Sequence, residues 1–186
     1  MTITAQAIAG GVVYRVHGYT RCDLRNTMTK KSTGQTLHPF VTPLTLAGAL
    51  PFLGCSLAAW RLLQLPFDPA YAAVVYAAVI LSFLGGIQWS FFLTEPAPKA
   101  WIIIISNLLA LQGWGVVLLF TASPSGACIV LALGLCIALW VDGNLCRQGF
   151  LPENFYRLRQ LTTALVVPCL LATASAQHFV IAAHLS

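Results

Sequence analysis

Long apolar runs alternate with short polar connectors from residue 41 to the C-terminus. Five of these runs are long enough to cross a hydrocarbon core of about 30 Å, which requires roughly 20 helical residues. The runs are continuous and lack period-two alternation, which excludes a transmembrane β-barrel. The pattern predicts an all-α polytopic membrane protein. The five predicted spans are 41–63, 70–93, 100–121, 126–145 and 161–184.

The connectors between these runs contain prolines, which end helices because proline lacks a backbone N–H and restricts the preceding residue. Pro66 and Pro69 follow the first run, Pro96 and Pro98 the second, and Pro124 the third. Connections this short place consecutive helices antiparallel. The predicted architecture is therefore a five-helix transmembrane up-and-down bundle.

Lysine and arginine are concentrated at one end of this bundle. Only Arg61 of the ten lysines and arginines falls on the opposite side. Because cytoplasmic loops carry the excess of positive charge, we predict a cytoplasmic N-terminus and a C-terminus outside. The nine residues on the predicted cytoplasmic side are Arg15, Arg21, Arg25, Lys30, Lys31, Lys99, Arg147, Arg157 and Arg159.

The composition agrees with a lipid environment. Hydrophobic residues make up 58% of the chain and charged residues 8%, whereas soluble domains carry roughly 25% charged residues. The net charge of +5 does not indicate nucleic acid as a partner, because the basic residues cluster between apolar runs rather than along one polar face. The predicted partners are the lipid bilayer and other membrane proteins.

Residues 1–40 contain no spanning run and form a separate segment from the membrane domain at 41–186. We expect this segment to be poorly ordered. A transit peptide is one interpretation, and a true start at Met28, directly before Thr29, is another. The short loops favour a bacterial inner (plasma) membrane, with the mitochondrial inner membrane as the alternative.

Small residues recur on the second predicted helix at every fourth position. A stripe of this kind allows helices in lipid to approach closely. In the first helix, Pro51 beside Gly54 predicts a kink. The predicted helix-packing residues are Ala78, Ser82, Gly86 and Ser90.

Polar residues inside the spans are the candidate functional residues, because they are costly in hydrocarbon. Asp142, near the cytoplasmic end of the fourth helix, has two interpretations: an interfacial carboxylate paired with Arg157 or Arg159, or a proton or ligand site. Gln88 and Asn107 either bridge helices or bind a substrate. The candidate polar cluster is Gln88, Asn107, Asp142, Arg157 and Arg159.

No catalytic constellation is recognisable in the chain. It lacks a GxSxG elbow, a glycine-rich phosphate loop, an HExxH motif and paired acids, so no groups of complementary roles converge. Its six cysteines have no CxxC spacing, and those within apolar runs are expected to pack as small apolar side chains. We therefore predict no enzymatic activity, no metal site and no cofactor.

Several segments together resemble a known family. They are PLTLAGALPF at 43–52, YAAVILSFLGGIQW at 76–89, the acidic residue Asp142, and LPENFYRLRQLTT at 151–163. In order and spacing, residues 43–184 resemble the domain of unknown function 3429 family (transmembrane protein 69-like). The resemblance implies a multi-pass membrane protein and supplies no catalytic residues. Gln88 stands where family members often have histidine, and an amide cannot titrate near neutral pH.

Two functions are compatible with these features. The first is a non-enzymatic accessory or assembly-type protein that acts through helix–helix contacts, and the small-residue stripe favours it. The alternative is a small-molecule or lipid binder or carrier with a cytoplasm-facing pocket. That pocket would be lined by Gln88, Asn107, Trp114, Trp140 and Asp142.

Overall fold

The computed structural model describes residues 5–8, 11–14, 40–94 and 99–185. The chain divides into two compact units, Met1–Thr36 and Leu37–Ser186. In the first unit, strands β1 (Ala5–Ile8) and β2 (Gly11–Tyr14) pair antiparallel, with Ala5 opposite Tyr14. Sequence patterning did not predict this hairpin. The rest of the predicted poorly ordered segment, including Met28, lies outside the described residues.

The described part of the second unit is helical. Five of its stretches are long and apolar enough to cross a membrane, which confirms the predicted polytopic helical fold. The first stretch combines two short helices, and each of the others is one helix. The helices are α1 (Val41–Ala47), α2 (Leu50–Ala59), α3 (Pro69–Thr94), α4 (Ala100–Leu118), α5 (Pro124–Arg147) and α6 (Glu153–Leu185).

The first span is interrupted at Gly48 and Ala49, between α1 and α2. Pro51 follows directly in the first turn of α2, where its missing N–H breaks the helical hydrogen-bond ladder. The Tyr76 hydroxyl of α3 donates to the Gly48 carbonyl oxygen at 3.1 Å, and its ring packs on Phe52. The predicted interruption is therefore present and is anchored to α3.

The closest helix contact is between α3 and α4, and it depends on glycines. A Cβ atom at Gly85 would lie 2.8 Å from the carbonyl oxygen of Ser106, and one at Gly113 would lie 3.1 Å from that of Ala78. Real Cβ atoms essentially never lie as close as the distance at Gly85, and the distance at Gly113 is tighter than nine in ten real Cβ contacts. In lipid such close approach, rather than apolar burial, holds helices together.

The predicted stripe on α3 does not form this contact as a whole. Ala78 is buried against α4, but Ser82, Gly86 and Ser90 are exposed, and a Cβ at Gly86 would meet nothing within 4 Å. The packing glycine is Gly85, because it shares the inner face of α3 with the buried residues Leu81, Leu84 and Gln88. Of the adjacent glycines, Gly85 and not Gly86 therefore makes the close contact with α4.

A glycine-dependent turn connects α5 to α6. Gly149 has φ +79°. Its N–H donates to the Cys146 carbonyl, while the Phe150 N–H donates to the Leu145 carbonyl. These two bonds form a Schellman motif, and Phe150 also packs against the apolar cluster that contains Leu145. The turn directs the chain straight back along α5.

The last helix is longer than the sequence indicated. It begins at Glu153 rather than near residue 161, so residues 153–160 form its first turns. The Phe155 and Tyr156 N–H groups donate to the Pro152 carbonyl, and the Glu153 carboxylate lies in the first turn, where the helix dipole favours negative charge. This early start places Arg159 beside α5.

Gly149→Ala is expected to lower the free energy of unfolding by about 1–2 kcal/mol, the cost of the left-handed conformation for a residue with a Cβ. Steric crowding does not contribute, because a Cβ there meets nothing within 4 Å. The matched control is Gly115→Ala, which also meets nothing but lies in regular helix. Denaturant titration of both variants in detergent micelles measures the difference, and equal stability would contradict a left-handed requirement at Gly149.

Candidate functional site

Three of the five predicted cluster residues meet at one end of the bundle. Arg159 Nε of α6 donates to Asp142 Oδ2 of α5 at 3.1 Å. Gln88 Nε2 of α3 donates to Asp142 Oδ1 at 3.4 Å and to the Ala138 carbonyl oxygen at 3.5 Å. All three side chains are buried. We call Gln88, Asp142 and Arg159 the buried polar cluster.

The local sequence explains why these side chains point inward. Gln88 continues the inner face of α3, and Asp142 lies between the fully buried Val141 and Leu145 on α5. On α6, Arg159 follows the buried Leu158. A close contact one residue further along α5 fixes the register of α5 and α6.

That register depends on Gly143, directly after the cluster aspartate. A Cβ at Gly143 would lie 2.8 Å from the Tyr156 hydroxyl oxygen. The absence of a side chain at Gly143 therefore lets α6 lie close enough for Arg159 to reach Asp142. Sequence analysis missed this contact, although Tyr156 belongs to a segment that carries the family resemblance.

The other two predicted cluster residues lie elsewhere. Arg157 pairs with Glu153 one turn earlier on α6, at 2.7 Å, and these side chains are 70% and 69% exposed. Asn107 is exposed and donates to the Ile103 carbonyl of its own helix at 2.8 Å. The sequence left Arg157 and Arg159 as alternative partners of Asp142, and the structure selects Arg159.

The ion pair is desolvated, since the Arg159 and Asp142 side chains are only 9% and 8% exposed. A buried carboxylate and guanidinium stabilise each other but lose hydration, so the pair is sensitive to removal of either partner. Among the described residues, two buried side-chain atoms make no hydrogen bond, Gln88 Oε1 and Arg159 Nη2. Each such atom costs about 1–3 kcal/mol. Both belong to the buried polar cluster.

An apolar layer adjoins the cluster on the side of the α5–α6 turn. It consists of the buried residues Ile102, Val141, Leu145 and Leu151, with aromatic rings packed around them. Trp101 and Trp140 contact each other there, with ring centroids 5.8 Å apart. Lys99 and Arg147 lie at the same end of the bundle. Aromatic side chains beside basic residues are typical of a membrane–water interface.

The five residues predicted to line a cytoplasm-facing pocket do not converge. Gln88 and Asp142 contact each other, whereas Asn107 is exposed, and Trp114 and Trp140 are 65% and 55% exposed. The amide of Gln112 bridges two helices, donating from α4 to the Val130 carbonyl of α5 at 2.6 Å. This geometry does not form the pocket of the carrier hypothesis.

The described cysteines are not joined by disulfides. Cys55 and Cys128 are buried in the main apolar core, where thiols pack as small apolar groups. No group of three or more potential metal ligands occurs among the described residues. Cys22 lies outside them.

Fold and site together define a polytopic helical membrane protein with a buried ion pair near one end of its bundle. The chain belongs to the family described as Protein of unknown function (DUF3429), whose model matches residues 38–175. It is 35% identical over 127 residues to "Transmembrane protein 69" of Xenopus tropicalis, covering 67% of this chain and 49% of that protein.

A second relative gives the same picture. "Transmembrane protein 69" of Mus musculus is 34% identical over 124 residues, which cover 64% of this chain and 49% of the relative. The chain therefore spans about half the length of the curated relatives it matches. No solved structure matches it.

Proposed function

We propose that this protein is a non-enzymatic accessory or assembly-type membrane protein that acts through helix–helix contacts with other membrane proteins. The observation that supports this proposal is the outward-facing surface of Ser82, Gly86 and Ser90, which we call the outer α3 face. All three residues are exposed, and a Cβ at Gly86 would meet nothing within 4 Å.

In the described part of the bundle, the close contacts between helices are made at glycines other than Gly86. They include those made by Gly85 and Gly113 between α3 and α4, and by Gly134 between α5 and the side chains of Gln112 and Leu81. A small-residue face that remains outside the bundle lets a partner backbone approach closely, which is the main source of helix association in lipid.

Large apolar side chains border the outer α3 face. Val79, Phe83 and Leu93 lie on the same helical face and are 58%, 64% and 72% exposed. The face therefore has a low point at Gly86, with the bulkier Val79 and Leu93 about two turns to either side of it along the helix, and a second helix that crosses at Gly86 can approach closely.

The chemistry of the described residues supports a non-enzymatic role. The buried charged groups among them are Asp142 and Arg159, which neutralise each other. General acid–base or nucleophilic catalysis requires several groups of complementary roles around one reacting atom. A single neutralised carboxylate does not supply them.

For the setting of this activity, we propose a bacterial inner membrane with the N-terminus in the cytoplasm, and the mitochondrial inner membrane as the alternative. The charge distribution supports this orientation. Lys99, Arg147 and Arg157 lie at one end of the helices and Arg61 at the other, and the positive end faces the cytoplasm or its equivalent compartment.

Photocrosslinking in native membranes tests the proposed contact. A photoreactive amino acid in place of the exposed Phe83 should give a discrete crosslinked complex, and Gly86→Ile should reduce its yield about tenfold. The isoleucine side chain would occupy the space at Gly86 that a partner helix needs for close packing. A tenfold reduction corresponds to a loss of about 1.4 kcal/mol of association free energy. Gel mobility and mass spectrometry of the crosslinked band measure the result.

Two controls make this test specific. The same probe at Ile104, an exposed residue of α4, should not give the band. Gly115→Ile adds equal bulk at another open glycine and should leave it unchanged. A protein that forms no discrete complex from position 83, or a complex that survives Gly86→Ile, would overturn the proposal.

A further inference from the structure

The Asn107 amide faces away from the bundle, although it lies within a membrane span. α4 has 19 residues and is apolar enough to cross a membrane, and Asn107 lies seven residues after its first residue, Ala100. That separation corresponds to about 10 Å along the helix axis. Lysine and arginine can reach the interface over such a distance, but the shorter asparagine side chain cannot. The exposed amide of Asn107 is therefore in contact with hydrocarbon.

Hydrogen bonding within α4 satisfies only part of this amide. Asn107 Nδ2 donates one N–H to the Ile103 carbonyl oxygen at 2.8 Å. An asparagine amide has a second N–H and a carbonyl oxygen, and neither has a hydrogen-bond partner in the described part of the chain. Polar groups without partners are costly in hydrocarbon, and asparagine side chains in membrane proteins form hydrogen bonds between helices. Asn107 therefore requires a polar partner from outside the bundle.

Asn107 belongs to a row of exposed residues on α4, which we call the outer α4 face. The residues follow each other at spacings of three and four, as in the contact seam between two helices that wind around each other. Any lipid-facing helix has exposed residues at these spacings, so the asparagine distinguishes this face. Its apolar members are between 56% and 65% exposed. The outer α4 face consists of Ile104, Asn107, Leu111, Trp114 and Leu118.

We propose that the outer α4 face binds a second copy of this chain, with the two Asn107 amides hydrogen-bonded to each other. The lysine and arginine asymmetry between the two ends of the bundle selects one orientation for every copy in the membrane. Two α4 helices that meet at a twofold axis along the membrane normal therefore run parallel, and each residue lies at the same depth as its counterpart. The free N–H of each Asn107 can then donate to the free Oδ1 of the other.

The chemistry of the outer α4 face favours a second copy over a different protein. An amide is complementary to itself because it carries both a donor and an acceptor. A different protein would need its own polar group at the same depth, whereas symmetry supplies one from the second copy. A single asparagine in a parallel two-helix seam also fixes the register of the pair. The inference does not rest on the proposed function, because the outer α3 face lies on another helix.

Energy transfer between donor-labelled and acceptor-labelled full-length protein in phosphatidylcholine vesicles tests the proposal. The dyes are attached through a noncanonical amino acid at Leu62, which is 75% exposed and lies between α2 and α3. Dilution with lipid gives the dissociation constant as a protein-to-lipid mole fraction. The wild-type protein should show transfer above the level of chance proximity. That transfer should fall on dilution and depend linearly on the acceptor fraction, as it does for pairs.

Asn107→Leu should raise this dissociation constant about tenfold, because it removes the hydrogen bonds between the two amides. Asn107→Gln retains an amide and should weaken the pair less. The matched control is Asn144→Leu on α5. Asn144 Nδ2 likewise donates to a carbonyl of its own helix one turn earlier, that of Trp140 at 2.9 Å, and its loss should leave the dissociation constant unchanged. Circular dichroism checks the helical content of each variant.

Photocrosslinking locates the interface without a substitution at Asn107. A photoreactive amino acid at Leu111 should link to α4 of the second copy and give a band of twice the mass of the chain. Mixing isotopically heavy and light protein before reconstitution distinguishes links between copies from links within one copy. The same probe at Ile104 should give the same double-mass band, which mass spectrometry separates from a complex with another protein formed through position 83.

Several outcomes would overturn the proposal. Energy transfer at the chance level at every lipid density would show a monomer, and a curved dependence on the acceptor fraction would show an oligomer larger than a pair. Unchanged association of Asn107→Leu, or an equal loss in Asn144→Leu, would exclude the amide pair. Links from Leu111 to a helix other than α4 would place the interface elsewhere. A monomer that still forms a discrete complex from position 83 would overturn this inference and leave the proposed function intact.

Discussion

Asp142→Leu is expected to lower the free energy of unfolding by about 3–5 kcal/mol, because it leaves the Arg159 guanidinium buried without its counter-charge. Arg159→Met should cost a similar amount by leaving the Asp142 carboxylate unpaired. These effects are large for single substitutions because the side chains are 8% and 9% exposed, so neither remaining charge regains its hydration without opening α5 from α6. SDS titration in mixed micelles, followed by tryptophan fluorescence, measures the loss.

The double variant Asp142→Leu/Arg159→Met should recover most of this loss, since it removes both charges and retains much of the volume. The matched control is Arg157→Met on the same helix. Its partner Glu153 is 69% exposed, and such surface pairs contribute less than about 1 kcal/mol. If the double variant were as unstable as the sum of the two single variants, the pair would not be coupled and the buried ion pair would not hold α5 to α6.

The spans were predictable because the thickness of the hydrocarbon core fixes the length of apolar helix that crosses it. The helix ends were less predictable. Residues 153–160 contain charged and polar side chains, which hydropathy treats as connector, yet their backbone continues α6 without a break. A helix can extend beyond the apolar core wherever its polar residues reach the interface, and composition does not record that extension.

The identity of the polar residues was also predictable, since buried ionisable groups in a span require partners. The choice of partner for Asp142 was not. Arg157 and Arg159 are two residues apart, so on a helix they point in nearly opposite directions. Which one faces Asp142 depends on the turn at Gly149 and on the close approach of Gly143 to Tyr156, and hydropathy and residue spacing reveal neither. Asn107 was predicted as a cluster residue because it is polar and lies inside a span, but it is on the exposed side of α4.

The adjacent glycines of α3 show the same limit. A four-residue period through Ala78 and Ser82 selects Gly86, whereas the inner face that carries Leu81, Leu84 and Gln88 selects Gly85. Both patterns are present in the sequence. In a soluble helix the outer face is recognised by its polar residues, but a helix whose outer face meets lipid is apolar on both faces, so the sequence does not show which glycine faces inward. The packed structure distinguishes them by distance, with the Ser106 carbonyl oxygen 2.8 Å from a Cβ built at Gly85.

Gly85→Leu is therefore expected to lower the free energy of unfolding by about 3 kcal/mol, the upper part of the range for overpacking. Its side chain would meet the backbone of α4, which cannot move aside as the end of a flexible side chain can. The α3–α4 contact is the most extensive in the bundle, so separating these helices also loosens the contact between Ala78 and Gly113. The same SDS titration applies, with helical content checked by circular dichroism.

Gly86→Leu is the matched control, because it adds the same side chain one residue later into space where a Cβ meets nothing within 4 Å. It should leave the free energy of unfolding unchanged or raise it slightly, since leucine has the higher helix propensity. The two variants have identical composition and differ only in which face of α3 receives the added volume. A larger loss from Gly86→Leu than from Gly85→Leu in the isolated protein would mean that the outer α3 face is packed inside the bundle, where no partner helix could reach it.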